Sequence, residues 1–211
     1  MLQFASYLRR AALALALAGL SAGALAGPTY HVSVNTNDWI GQTGALDFMF
    51  GAVPGAPGAT ATISHVTGGS FGATELYADA TGTPAAGYTL YNASGMDEVL
   101  QWVTFGGTFG FDVTFGGDFE MPSSSLDGSS FWLTLLNENY ETLGAQGPAV
   151  TFDLVPAGDE SAASVSYAVP AELVVRVTDG PTVDVPEASQ WAIFLTGLSL
   201  MAWTVRRRQQ R

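Results

Sequence analysis

The chain has no cysteine and no lysine. Without cysteine there are no disulfides, thiolate metal sites, iron–sulfur clusters or cysteine nucleophiles. Without lysine, the seven arginines are the whole basic complement. Charged residues are also scarce, at 12% of 211, about half the share usual in a soluble domain. Six of the seven arginines stand near the two ends, so residues 27–185 hold 18 acids against Arg176 alone, a formal charge of −17. A body of that sign repels nucleic acid and anionic lipid. Histidine is nearly absent too. Any Ser-His-Asp arrangement or histidine metal site must draw on His31 or His65, and no serine stands in a nucleophile-elbow pattern. Both imidazoles therefore read as structural or surface groups. What is abundant is apolar: 47% of residues are hydrophobic and 25 are glycine, which excludes disorder.

The ends read as addresses. Arg9 and Arg10 precede an apolar run over residues 11–20, and Ala24 and Ala26 place small residues where a signal peptidase reads them. Cleavage before Gly27 and export of the mature chain are expected. Near the other end, the predominantly apolar residues 191–205 would reach about 22 Å as a helix, short of a roughly 30 Å hydrocarbon core. Trp191 and Trp203 flank that segment, and Arg206, Arg207 and Arg208 would hold the tail on the cytoplasmic side. The expected precursor is anchored in the inner membrane with its body outside.

The motif Val185-Pro186-Glu187-Ala188, a tryptophan four residues after the glutamate, a short apolar helix containing Gly197 and a terminal arginine cluster together resemble the PEP-CTERM sorting signal of Gram-negative bacteria. The usual tripeptide of that family is Pro-Glu-Pro, and Ala188 replaces its second proline. The resemblance covers about the last 26 residues. It implies recognition by a membrane-embedded exosortase, removal of the helix and tail, delivery to the cell surface or medium, and a bacterium that makes exopolysaccharide.

Between the ends lie enough residues for one domain with a real core. Apolar residues alternate with polar ones at Tyr30, Val32 and Val34; at Leu46, Phe48 and Phe50; at Ala61 and Ile63; at Phe109, Phe111, Val113 and Phe115; at Phe131, Leu133 and Leu135; and at Leu173, Val175 and Val177. Period two means half-buried strands. Residues 88–91 and 150–154 are further strand candidates, while 96–103 read as one or two helical turns. Turn chemistry marks residues 54–58, Gly68-Gly69, Gly106-Gly107, residues 116–118 and Asp127-Gly128. Short strands at even spacing predict an all-β fold, a single jelly-roll-like β-sandwich over residues 27–178. It would be flanked by a signal peptide at 1–26, a linker at 179–187, and a transmembrane helix with basic tail at 188–211. Residues 30–34, 44–48 and 111–115 are similar to one PEP-CTERM subgroup whose body has no assigned activity.

The body offers three kinds of chemistry. Paired carboxylates suit glycoside hydrolysis, but most acids, Asp47, Asp112 and Asp153 among them, fall on turns or polar strand phases and read as solvated. Acidic loops suit calcium. Asn35, Asn37 and Asp38 form one cluster and Asn137, Glu138, Asn139 and Glu141 another, neither with the spaced calcium-loop pattern. Trp39, Trp102 and Trp132 lie off the inward phase, where flat rings can stack on sugars; packing into a second face is the other reading for each. Asn92-Ala93-Ser94 matches the N-glycosylation acceptor by chance. The expectation is an exported, non-enzymatic surface or matrix protein with no resident metal or cofactor. Its partners would be signal peptidase, exosortase and exopolysaccharide. A carbohydrate-binding module, with calcium as the one cofactor its loops suit, is the alternative, and a two-carboxylate glycosidase the third reading.

Overall fold

The computed structural model describes residues 27–180. The signal-cleavage residues Ala24 and Ala26, the tripeptide Pro186, Glu187 and Ala188, and the anchor residues Trp191, Gly197, Trp203, Arg206, Arg207 and Arg208 lie outside the described residues. The described part falls in one compact unit, Gly27–Thr182. It is all-β. Ten strands form one large antiparallel sheet: β1 (Thr29–Asn35), β2 (Thr43–Ala52), β3 (Ala59–Tyr77), β4 (Thr81–Thr83), β5 (Gly87–Tyr91), β6 (Met96–Gly117), β7 (Ser129–Asn137), β8 (Val150–Val155), β9 (Ser164–Ala168) and β10 (Val175–Asp179). Among the described residues the only helical pieces are two 3-10 turns, Asn37–Trp39 and Asp118–Glu120. No helix there is long and apolar enough to cross a membrane.

Each alternation in β1, β2, β7, the start of β3 and the end of β6 buries the phase expected, because a period of two sends every second side chain to one face. β3 and β6 do more than the sequence pattern announces. They run 19 and 22 residues and pair along much of their length, and β6 changes its other partner midway. The first half of β6 pairs with β2 and the second half with β1. The sheet therefore curls, and strands remote in pairing order meet across an aromatic interior. The ring of Tyr30 on β1 lies 5.0 Å from that of Phe152 on β8, and the ring of Phe115 on β6 lies 5.4 Å from it. Burying each such ring stabilises the fold by roughly 1.5–3 kcal/mol.

Two expected turns prove to lie within the pairing of the long strands, at its register shifts. Gly68-Gly69 lies inside β3 and Gly106-Gly107 inside β6. The glycines are needed for close approach: a Cβ on Gly68 would stand 1.9 Å from the Thr108 carbonyl oxygen, and one on Gly106 2.6 Å from that of Gly68. Residues 96–103 are strand and not helical turns. The inward phase there carries Asp97, Val99, Gln101 and Val103, so two polar groups interrupt the apolar pattern. Both are fully buried and satisfied. Asp97 accepts from the backbone N–H of Asp79 and Tyr91 and from the Ser94 hydroxyl. Gln101 accepts from the Tyr88 and Thr74 hydroxyls and donates to the carbonyls of Gly72, Ala73 and Trp102, pinning a bulge in β3.

Near the C-terminal end, Leu173 is buried but precedes the last strand, which starts at Val175. Asp179 pairs with Tyr30, so the strand extends one residue past the expected boundary at 178. Asn92 is buried, with its amide committed to the Ala59 N–H, the Pro57 carbonyl and the Ser129 hydroxyl. That amide is a structural tie between three segments and not a surface acceptor.

Candidate functional site

Strand pairing assembles an acidic and aromatic patch on the outward phase of β3, β6, β2 and β7. On β2, Ala45, Asp47 and Met49 alternate with the buried Leu46 and Phe48. In register, Ala45 faces Trp102 of β6 and Leu136 of β7, Asp47 faces Leu100 and Thr134, and Met49 faces Glu98 and Trp132. Glu75 and Tyr77 of β3 continue the rows beyond Leu100 and Glu98. The two tryptophans thus flank β2 on opposite sides, four residues apart along it. Strand geometry places them on the order of 17 Å apart, with Asp47 between.

Both tryptophans are half-buried, leaving part of each ring to solvent. Trp102 packs on Ala45, Leu100 and Leu136 and meets Tyr140 edge-on at 5.7 Å. Its indole N–H donates to Glu75 at 2.9 Å, and the Tyr77 hydroxyl donates to the same carboxylate at 2.8 Å. The Trp132 indole N–H points at the Met49 sulfur, 3.2 Å away, a weak acceptor. Trp39, the third expected ring, does not join them. It ends the first 3-10 turn and packs against the main core, 6.4 Å from Phe105.

Three carboxylates on this face have different proton affinities. The hydrogen bonds from Trp102 and Tyr77 hold Glu75 below the usual carboxylate range. Glu98 is pushed up by burial and then by the charge of Glu75. Asp47 is pushed up to about 6, first by burial and then by the charge of Glu98. Its Oδ1 is shielded from solvent and has no hydrogen-bond partner. The solvated carboxylate expected at Asp47 is thus half-buried and unsatisfied, because Leu100 and Thr134 close over it from both neighbouring strands. Asp153 is exposed as expected and accepts from the Ser130 hydroxyl at 2.6 Å.

In the asparagine and acid clusters, Asn35, Asn137 and Glu141 bond to the chain itself. Asn35 accepts from the Asn37 N–H. Asn137 accepts from the N–H of Asn139 and Glu141 and donates to the Glu141 carboxylate. These contacts close the turns between strands. A shallow cavity of about 630 Å³ lies elsewhere, beside Gly144, Gln146 and Pro170, and Glu172 is its one acidic lining group.

A second outward face, on the far half of β6 and its neighbours, carries hydroxyls and imidazoles. Thr29, Thr114, Thr62, Thr89 and Thr81 stand in one transverse row across five strands. In the next row Asp112 lies between His31 of β1 and Ser64 of β3. Both histidines of the chain turn Nδ1 toward Asp112, His65 at 2.7 Å. Ser64 also approaches His65 at Nδ1, 3.4 Å away. A serine triad needs its serine and its acid on opposite ring nitrogens, so this is no catalytic triad. Sequence reading missed the cluster because its members are joined only by long-range strand pairing. No protein-family model, curated protein or solved structure matches the chain.

Proposed function

We propose that the chain is an exported, non-enzymatic protein of the cell surface or extracellular matrix, with its curled sheet a jelly-roll-like sandwich that carries a polysaccharide-binding face. The observation supporting this reading is the placement of Trp102 and Trp132 on one outward face around a carboxylate that lacks a hydrogen-bond partner. Partly exposed rings stack on the apolar faces of sugars, while Asp47, Glu98 and Glu75 accept from hydroxyls. Such a face favours a neutral glycan, since the −17 body repels an anionic one. The terminal segments complete the reading: export through the N-terminal signal, anchoring in the inner membrane, then exosortase processing next to Pro186, Glu187 and Ala188.

Two experiments test it. The chain should be retained by neutral exopolysaccharide, and Trp102→Ala and Trp132→Ala should each weaken retention by about tenfold or more, equivalent to about 1.4 kcal/mol, with far-UV dichroism unchanged. Retention that ignores both substitutions refutes the binding face. Release of reducing ends would instead favour the glycosidase reading, which the raised Asp47 and Glu98 pair supports. Separately, mass spectrometry of surface material should find residues 191–211 missing, and Glu187→Ala should leave the full-length chain in the membrane. A tail that persists equally in an exosortase-deficient strain would make the segment an ordinary anchor.

A further inference from the structure

We propose that His31, Asp112 and His65 form a binding site for a divalent transition-metal cation of the zinc class. The chain holds two histidines in 211 residues, 34 positions apart, and the fold brings both to the two oxygens of one carboxylate. Chance placement of scattered surface histidines does not require such convergence. Nor is it backbone-neutral: His65 adopts φ 52°, inside the register shift that follows Ser64. Residues bearing a Cβ avoid that left-handed region, and strain held at a chemically capable side chain points to a use for it. The shift turns His65 toward the same face as Ser64 and Asp112, where regular alternation would have sent it to the opposite one.

The accessibilities fit a ligand site. The imidazoles are 45% and 79% exposed, free to reorient, whereas Asp112 is 17% exposed and fixed between β1 and β3. Among the described residues no three such groups are placed to hold a metal ion as they stand; here the three side chains hydrogen-bond to one another and must part to admit one. A cation entering between them takes the place of the two Nδ1–carboxylate hydrogen bonds, and the proton each neutral ring carries on Nδ1 passes through solvent to Nε2. A neutral imidazole has one proton, and ligation through Nδ1 leaves it on Nε2. Two nitrogens and one carboxylate oxygen then supply three ligands, with water for a fourth. Imidazole nitrogen selects zinc, copper or nickel over calcium and magnesium. The strongly acidic body attracts cations to the face, against the opposing charge of Arg176 on β10, which pairs with Ser33 beside His31.

The test uses the intact chain without a histidine tag, kept soluble in a non-ionic detergent. Zinc is titrated by calorimetry and by proton NMR of the two imidazole rings. One cation per chain should bind, both histidine signals should move together, and calcium or magnesium at the same concentration should move neither. His31→Ala and His65→Ala should each weaken binding by at least about tenfold. Both histidines are exposed, so the variants should keep the wild-type melting temperature in the absence of metal. Absence of binding overturns the proposal. So does movement of only one histidine signal, or zinc binding that survives the double substitution, which would place the cation on the acidic surface instead.

Discussion

Gly68→Ala is expected to lower the stability of the body by about 3 kcal/mol, whereas Gly95→Ala should lower it by only about 1. Both glycines have positive φ, +97° and +99°, and both substitutions meet the same left-handed penalty of roughly 1–2 kcal/mol. Their surroundings differ. Nothing lies within 4 Å of a Cβ on Gly95, but a Cβ on Gly68 would sit 1.9 Å from the Thr108 carbonyl oxygen and 2.6 Å from the Phe109 Cα. Those are backbone atoms and cannot rotate away. β3 would have to separate from β6 where the two long strands bend, adding about 1–3 kcal/mol of overpacking. For a unit of this size each kcal/mol lowers the melting temperature by about 2–4 °C, so the two variants should differ by several degrees. Equal melting temperatures would mean that the paired strands relax freely there and that Gly68 is an ordinary bulge.

That close approach also marks the limit of what the sequence discloses. Alternation is a local signal, and it identified the inward faces of Tyr30 to Val34, Leu46 to Phe50, Phe109 to Phe115 and Phe131 to Leu135 without any knowledge of partners. Closely spaced glycines are ambiguous. At residues 54–58 they accompany prolines and make a turn, but at 68–69 and 106–107 they permit two strands to approach, and only the pairing of β3 with β6 distinguishes the cases. Buried polar groups mislead in the same way. Asp97 and Gln101 look like surface residues until the Tyr91 N–H and the Tyr88 hydroxyl, brought in by another strand, satisfy them. Of the three tryptophans off the inward phase, Trp102 and Trp132 share a face because their strands flank β2, while Trp39 follows its 3-10 turn into the core. The convergence of His31 and His65 on Asp112 lay beyond local pattern altogether.

Asp47→Asn is expected to raise the melting temperature at pH 7 by about 2–8 °C and to have little effect near pH 4. The carboxyl has an ordinary value of 3.8 and is pushed up to about 6 in the folded protein by burial and by Glu98. Between those values the folded state binds more protons than the unfolded one. Stability therefore falls as pH rises through that window and is lowest above it. At full effect the displacement is equivalent to about 3 kcal/mol, and solvent contact at the open face screens it to about 1–2 kcal/mol. Asparagine removes the charge and with it the pH dependence. Glu98→Gln should recover a smaller part, because burial and not Glu98 is the larger cause. A gain of equal size at pH 4 and pH 7 would refute the electrostatic account and leave a change in packing. The same unfavourable charge bears on the proposed polysaccharide face. A sugar hydroxyl donating to the solvent-facing side of this carboxylate would stabilise its charged form, so bound glycan should stabilise the wild type more than Asp47→Asn at pH 7. If glycan raises both melting temperatures equally, Asp47 takes no part in recognition and the tryptophans act alone.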